Sequence, residues 1–227
     1  MSSNTCNRLL QKYSDRYKDA VNHVFLKRVA DSTADEAFEK WLIQDFHFVV
    51  AYLKFLSIVL SRVPSDASPE TAEGLTKGFL SALGEISKEA LFFRDQASSM
   101  NIKLGYTDDS LGETFRKYID YLIKVANESS FPEVLITLWA VEKVSVYLDS
   151  WSYAAELVPL NRPNKYDRFI KHWANADFAK FVGWLETIAN DATPEITPEI
   201  EDAFRTVVEF EVQCWDTALG TKDMASR

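Results

Sequence analysis

The run from Trp41 to Val59 sets its apolar residues at helical spacing and places an acid among them. Trp41, Phe48, Tyr52, Phe55, Leu56 and Val59 fall on one helix face, and Asp45 sits on that face, four residues after Trp41 and three before Phe48. Folding should carry its carboxylate inside with the aromatics, where a charge must find a partner or a ligand. Two later segments repeat the arrangement. Glu142 stands among Leu135, Leu138, Trp139 and Val146, and Glu211 among Phe204, Val207, Val208, Cys214 and Trp215. Three apolar stripes, each carrying one acid, suggest that the acids meet in one internal pocket lined by aromatics.

Composition narrows what such a pocket can hold. A formal charge of −9 with scattered lysines argues against nucleic acid, whose phosphates need clustered cations. The two cysteines, Cys6 and Cys214, form neither a disulfide framework nor a zinc pair. His23, His47 and His172 make no HExxH motif, so no metal site is expected. No glycine-rich phosphate loop exists. At 47% hydrophobic and 26% charged, the sequence is that of a soluble globular protein, with no apolar run expected to span a membrane. Met1 to Arg8 lacks the apolar core of a signal peptide, and the default placement is cytoplasmic.

No segment alternates with period two for more than a few residues, so the chain reads as an all-α, single-domain multi-helix bundle over residues 1–227, with about 1–8 and 221–227 as flexible termini. Helices are expected over Leu9–Val29, from a Thr33/Glu36 capping box to Arg62, over Glu70–Met100 with a bend or division near Gly84, and from a Ser110/Glu113 capping box past Val125. Further helices are expected from Pro132 to Ala155, Tyr166 to Trp173, Asp177 to Ala189 and Glu199 to Leu219.

Helix phase separates the inward acids from the solvated ones. Glu209 shares a polar face with Asp202, Arg205, Thr206 and Gln213 and should pair with Arg205, whereas Glu211 lies some 200° round the helix, on the apolar stripe. Asp149, seven residues after Glu142, is a possible fourth acid. Glu85 and Glu89 flank a stripe edge. A buried carboxylate tied to a Tyr, Trp or backbone donor, or to Lys143 or Arg94, is the plain alternative for any one acid. Cys214, inside a stripe, reads as a buried neutral thiol.

The runs WLIQDFHFVVAYLKFL, PEVLITLWAVEK followed by YLDSW, HWANADFAKFV and FEVQCWDTAL, with HVFLKRVADST ahead of the first, resemble the TenA / thiaminase II family. The resemblance covers nearly the whole chain and implies the haem-oxygenase-like all-α fold. It implies that Asp45 holds the aminopyrimidine of a substrate, that Phe48 packs on its ring, that Glu211 acts as acid or base, and that Tyr118 lines the site. The segment LWAVEK has no cysteine, so the chain resembles the cysteine-lacking branch, in which Glu142 joins Glu211. In that branch a Tyr follows the Glu by about three residues, whereas Tyr147 follows Glu142 by five.

Both readings point to a hydrolase acting on C–N bonds of aminopyrimidine thiamin breakdown products, N-formyl or free aminomethyl. Asp45, Phe48, Tyr52, Tyr118 and Trp139 would bind, and Glu142 and Glu211 would supply acid and base, one of two desolvated acids being held protonated. No cofactor is expected. A homodimer or homotetramer is implied by the resemblance. The alternatives are a non-catalytic aminopyrimidine-binding protein and, from the fold, a haem protein, for which His23 is the only proximal ligand on offer; di-iron chemistry would want Glu-x-x-His pairs, which are missing.

Overall fold

Eleven α-helices, with no strand, account for the regular structure in the computed structural model, which describes residues 4–105, 111–144 and 148–221. The chain divides into two compact units, residues 1–38 with 135–227 and residues 39–134.

The first unit begins with three short helices, α1 (Thr5–Lys12), α2 (Ser14–Val21) and α3 (Val24–Ala30), where one helix over Leu9–Val29 was expected. The backbone leaves the helical path at Tyr13 (φ −104°, ψ 23°), and His23 adopts an extended conformation to cap α3. Helical structure begins at Thr5, within the stretch expected to be a flexible terminus. Asn4 caps α1, Cys6 and Leu9 are buried, and the Thr5 hydroxyl donates to the Thr193 carbonyl at 2.6 Å.

The unit resumes with α7 (Phe131–Val144) from Leu135 on, then α8 (Leu148–Leu157), α9 (Asp167–Trp173), α10 (Ala176–Ala192) and α11 (Pro198–Leu219). The helix expected to run from Pro132 to Ala155 is thus described as α7 and α8, with 145–147, including Tyr147, outside the described residues. α8 packs against α3, α9 and α2, and α11 against α2. Trp151 stacks on Trp173 at 5.2 Å, and Phe38 on Tyr166 at 4.1 Å. α11 is delimited by its caps: Thr197 accepts from the Ile200 N–H, Pro198 fills the first turn, and Gly220 closes the helix at φ 72°.

The second unit holds most of α4 (Asp35–Ser61), with α5 (Pro69–Ser99), α6 (Glu113–Glu128) and the start of α7. The Thr33 hydroxyl donates to the Arg28 carbonyl (3.3 Å), so it closes the preceding turn, and α4 starts at Asp35. α5 runs unbroken through Gly84. Ser110 lies outside the described residues; Gly112 caps α6, and its N–H donates to Gln44 Oε1 at 2.6 Å. A capping box does begin α7, where Ser130 N–H donates to Glu133 Oε2 and Glu133 N–H to Ser130 Oγ.

By length and composition alone α4 could cross a membrane, with a mean hydropathy of 1.5 over its most apolar 18 residues. Half of that window is buried inside the protein, and a core helix passes this test as readily as a spanning one.

Arg62, just beyond α4, donates to the Ala126 carbonyl at 2.7 Å and the Ser129 carbonyl at 2.5 Å, satisfying acceptors that the end of α6 leaves open. Arg62→Ala should therefore destabilise the protein by about 2 kcal/mol, the usual worth of charge-assisted bonds to a helix end. A lower urea midpoint with an unchanged slope would show it.

Candidate functional site

Asp45 and Glu142 are each 1% exposed and Glu211 is fully buried, as helix phase required. Asp45 belongs to the second unit, Glu142 and Glu211 to the first.

In the second unit, Asp45, Phe48 and Tyr52 follow one another along the buried stripe of α4. Phe48 lies parallel to Tyr52 at 5.7 Å (19°), and Tyr118 of α6 leans on Phe48 at 4.9 Å. The stripe continues through Tyr52 to Phe55 at 5.3 Å. Four of the residues expected to bind substrate are thus neighbours: one carboxylate, two phenols and a phenyl ring. Arg94, considered as a partner for a buried acid, has its guanidinium 5.7 Å from the Phe46 ring centroid. Glu85 is exposed and pairs with Lys88, and Glu89 is buried within α5.

In the first unit, α7 is buried on every side from Leu135 to Glu142. Trp139 lies on the Glu142 face of α7, and Phe204, two turns before Glu211, lies on the Glu211 face of α11. These rings stack at 5.6 Å (23°), which sets the two acid-bearing stripes against each other. α2 runs beside α11 in the same direction, for Tyr13 touches Phe204 while Arg16 reaches Glu209 and His23 reaches Asp216. Tyr17, a turn after Tyr13, is joined through Asp149 to Lys143, a turn after Trp139. The Trp139 indole N–H is buried and has no hydrogen-bond partner among the described residues, as is also true of the Thr137 and Ser150 hydroxyls.

The remaining polar residues sort differently from the sequence reading. Glu209 is paired with Arg16, not Arg205: the guanidinium of α2 grips both carboxylate oxygens at 2.9 and 2.7 Å, and Arg205 turns to Asp202. A two-pronged bond from a neighbouring helix outweighs one contact along a helix. Asp149 is half-buried, receives Lys143 Nζ at 2.9 Å and the Tyr17 hydroxyl, and has both oxygens engaged. Both cysteines are buried, and burial pushes the Cys6 thiol far above its ordinary range. Among the described residues no cluster of His, Cys, Asp and Glu could hold a metal ion.

His23 is not arranged as a haem ligand. Its Nδ1 accepts the Phe25 N–H at 3.2 Å, which leaves the proton on Nε2, 3.3 Å from Asp216 Oδ1. Both nitrogens are used in holding α3.

Comparison with known proteins assigns the family. The model of the TENA/THI-4/PQQC family matches residues 10–221. The chain belongs to this family. A "probable bifunctional TENA-E protein" of Glycine max is 26% identical over 217 residues, covering 93% of this chain and 91% of that protein. The thiamine biosynthesis protein THI22 of Saccharomyces cerevisiae is 26% identical over 139 residues, 55% of this chain but 23% of that larger protein. A TenA homologue of Pyrococcus furiosus superposes with a TM-score of 0.83 at 26% identity, over 94% of this chain and 98% of its own. The fold is accordingly the helical haem-oxygenase-like fold of the TenA proteins.

Burial holds the His23 pKa below its ordinary 6.5, with Asp216 acting in the opposite direction. The unfolded chain thus takes up this proton first, and the stability His23 contributes is present above about pH 6.5 and lost as pH falls toward the folded pKa. Protonation at Nδ1 also removes the cap of α3. Unfolding titrations between pH 7 and about 5 should show a loss of stability that His23→Asn, a competent cap without a titration, diminishes.

Proposed function

We propose that the protein hydrolyses a C–N bond of an aminopyrimidine derived from thiamin, with the N-formyl or free aminomethyl aminopyrimidine as substrate. The observation carrying this reading is that three carboxylates are buried among aromatic rings, two of them on the stacked stripes of α7 and α11. Membership of the TENA/THI-4/PQQC family, and a relative named for TENA-E, support an enzyme of thiamin metabolism.

Each role follows from side-chain chemistry. An aminopyrimidine presents a ring nitrogen beside an exocyclic amine. The Asp45 carboxylate can accept from the amine with one oxygen and from the protonated ring nitrogen with the other. Phe48 covers the ring face, and Tyr52 and Tyr118 complete an apolar wall with two hydroxyls. The Trp139 N–H donates to an acceptor on the substrate, such as a formyl oxygen. Of Glu142 and Glu211, one takes a proton from water as its oxygen attacks carbon, and the other delivers a proton to the departing nitrogen. Water is added across the C–N bond and an amine or ammonia leaves. α7 offers no thiol for a covalent step, so efficient cleavage of thiamin itself is not expected.

Purified protein incubated with thiamin and both aminopyrimidines, with products followed by chromatography, should turn over at least one aminopyrimidine and leave thiamin nearly untouched. Saturable binding without turnover would instead indicate a binding protein. Glu211→Gln should lower kcat by about 10²- to 10⁴-fold, the usual contribution of general acid–base catalysis, with affinity within a few-fold. Loss of binding in that variant would make Glu211 a recognition residue.

A further inference from the structure

The Asp149 carboxylate joins three helices of the first unit in one polar contact. It lies in the first turn of α8, takes the Lys143 ammonium from the last turn of α7 at 2.9 Å and takes the Tyr17 hydroxyl from α2. All three side chains are half-buried, so water screens them only in part. Lys143 directly follows Glu142, on a helix that is buried on every side from Leu135 to Glu142. The ion pair adds a directional restraint at the last turn, and the Tyr17 bond fixes Asp149 itself. Burial and the neighbouring carboxylate push the Tyr17 phenol far above its ordinary range, so it remains a donor at any pH the protein meets.

We infer that Asp149 is a positioning residue, a clamp with Lys143 and Tyr17 that fixes the height and rotation of the last turn of α7 and thereby the Glu142 carboxylate. Glu142 has to meet a reacting atom over a span in which an error near 1 Å costs about a hundredfold in rate. The same geometry removes Asp149 from the candidate acids, because both its oxygens are occupied and its partners hold it at the junction of α2, α7 and α8. This rests on the role proposed for Glu142.

The test compares Asp149→Asn, Tyr17→Phe and Lys143→Met with Arg16→Ala, which severs the α2–α11 pair to Glu209 without touching α7. In the full-length protein, Asp149→Asn should lower kcat by about 10- to 100-fold with KM changed little, and both limbs of the pH–kcat profile should persist. Tyr17→Phe should fall in the same direction, and its effect should not add to that of Asp149→Asn, since both act on one contact. Backbone amides from Trp139 to Lys143 should exchange faster in Asp149→Asn and Lys143→Met but not in Arg16→Ala. An unchanged kcat, an equal loss in Arg16→Ala, or the disappearance of one pH limb would overturn the inference, the last by making Asp149 itself a proton carrier. If the wild-type protein turns over no aminopyrimidine, the proposed reaction falls by itself. Amide exchange then decides the clamp: protection at Trp139–Lys143 that is indifferent to Asp149 overturns it.

Discussion

The stack of Trp139 on Phe204 is the contact that brings the two acid-bearing helices of the first unit together. A carboxylate is driven inside a protein only when the apolar residues beside it gain more from burial than the acid loses, and two rings of this size bury on the order of 150–250 Å² each. On α7 and α11 the acid follows the ring on the same face, so the ring that seals the interface also carries its acid inward. Glu142 and Glu211 are buried because Trp139 and Phe204 meet.

The second unit obeys the same rule with a different partner set. Phe48, Tyr52 and Tyr118 form a ring cluster, and Asp45 sits on the same α4 stripe one turn before Phe48. α4 is apolar enough to resemble a spanning helix, and an acid within such a helix is costly unless it is paired or hydrogen-bonded. The helix ends are secured by polar contacts of ordinary kinds, Ser68 before Pro69, Gly112 against Gln44, and Arg62 on the last carbonyls of α6, and these set the register in which the ring cluster forms.

Local periodicity made a large part of this legible before folding. The two-residue step from Glu209 to Glu211 placed one outside and the other inside, because a helix turns about 200° over two residues. What periodicity missed was local chemistry competing with it. The first expected helix is interrupted where His23 spends a ring nitrogen on a cap. The Ser130–Glu133 box was present in the sequence but is overshadowed there by Pro132. Arg205 and Glu209 have the spacing of a pair, yet Arg16 takes Glu209, because spacing along one helix says nothing of a guanidinium arriving from another.

The sequence alone determined the helical class, the family, the inward phase of Asp45, Glu142 and Glu211, and the lack of a thiol in α7, since all of these are written in nearest-neighbour order and a 3.6-residue repeat. Only the tertiary structure decided that the stripes of α7 and α11 face one another. It alone decided that Asp149 is engaged by Lys143 and Tyr17, and that His23 holds a helix rather than a cofactor. These depend on contacts between residues as many as 193 positions apart, and no local pattern encodes which distant side chain will arrive first.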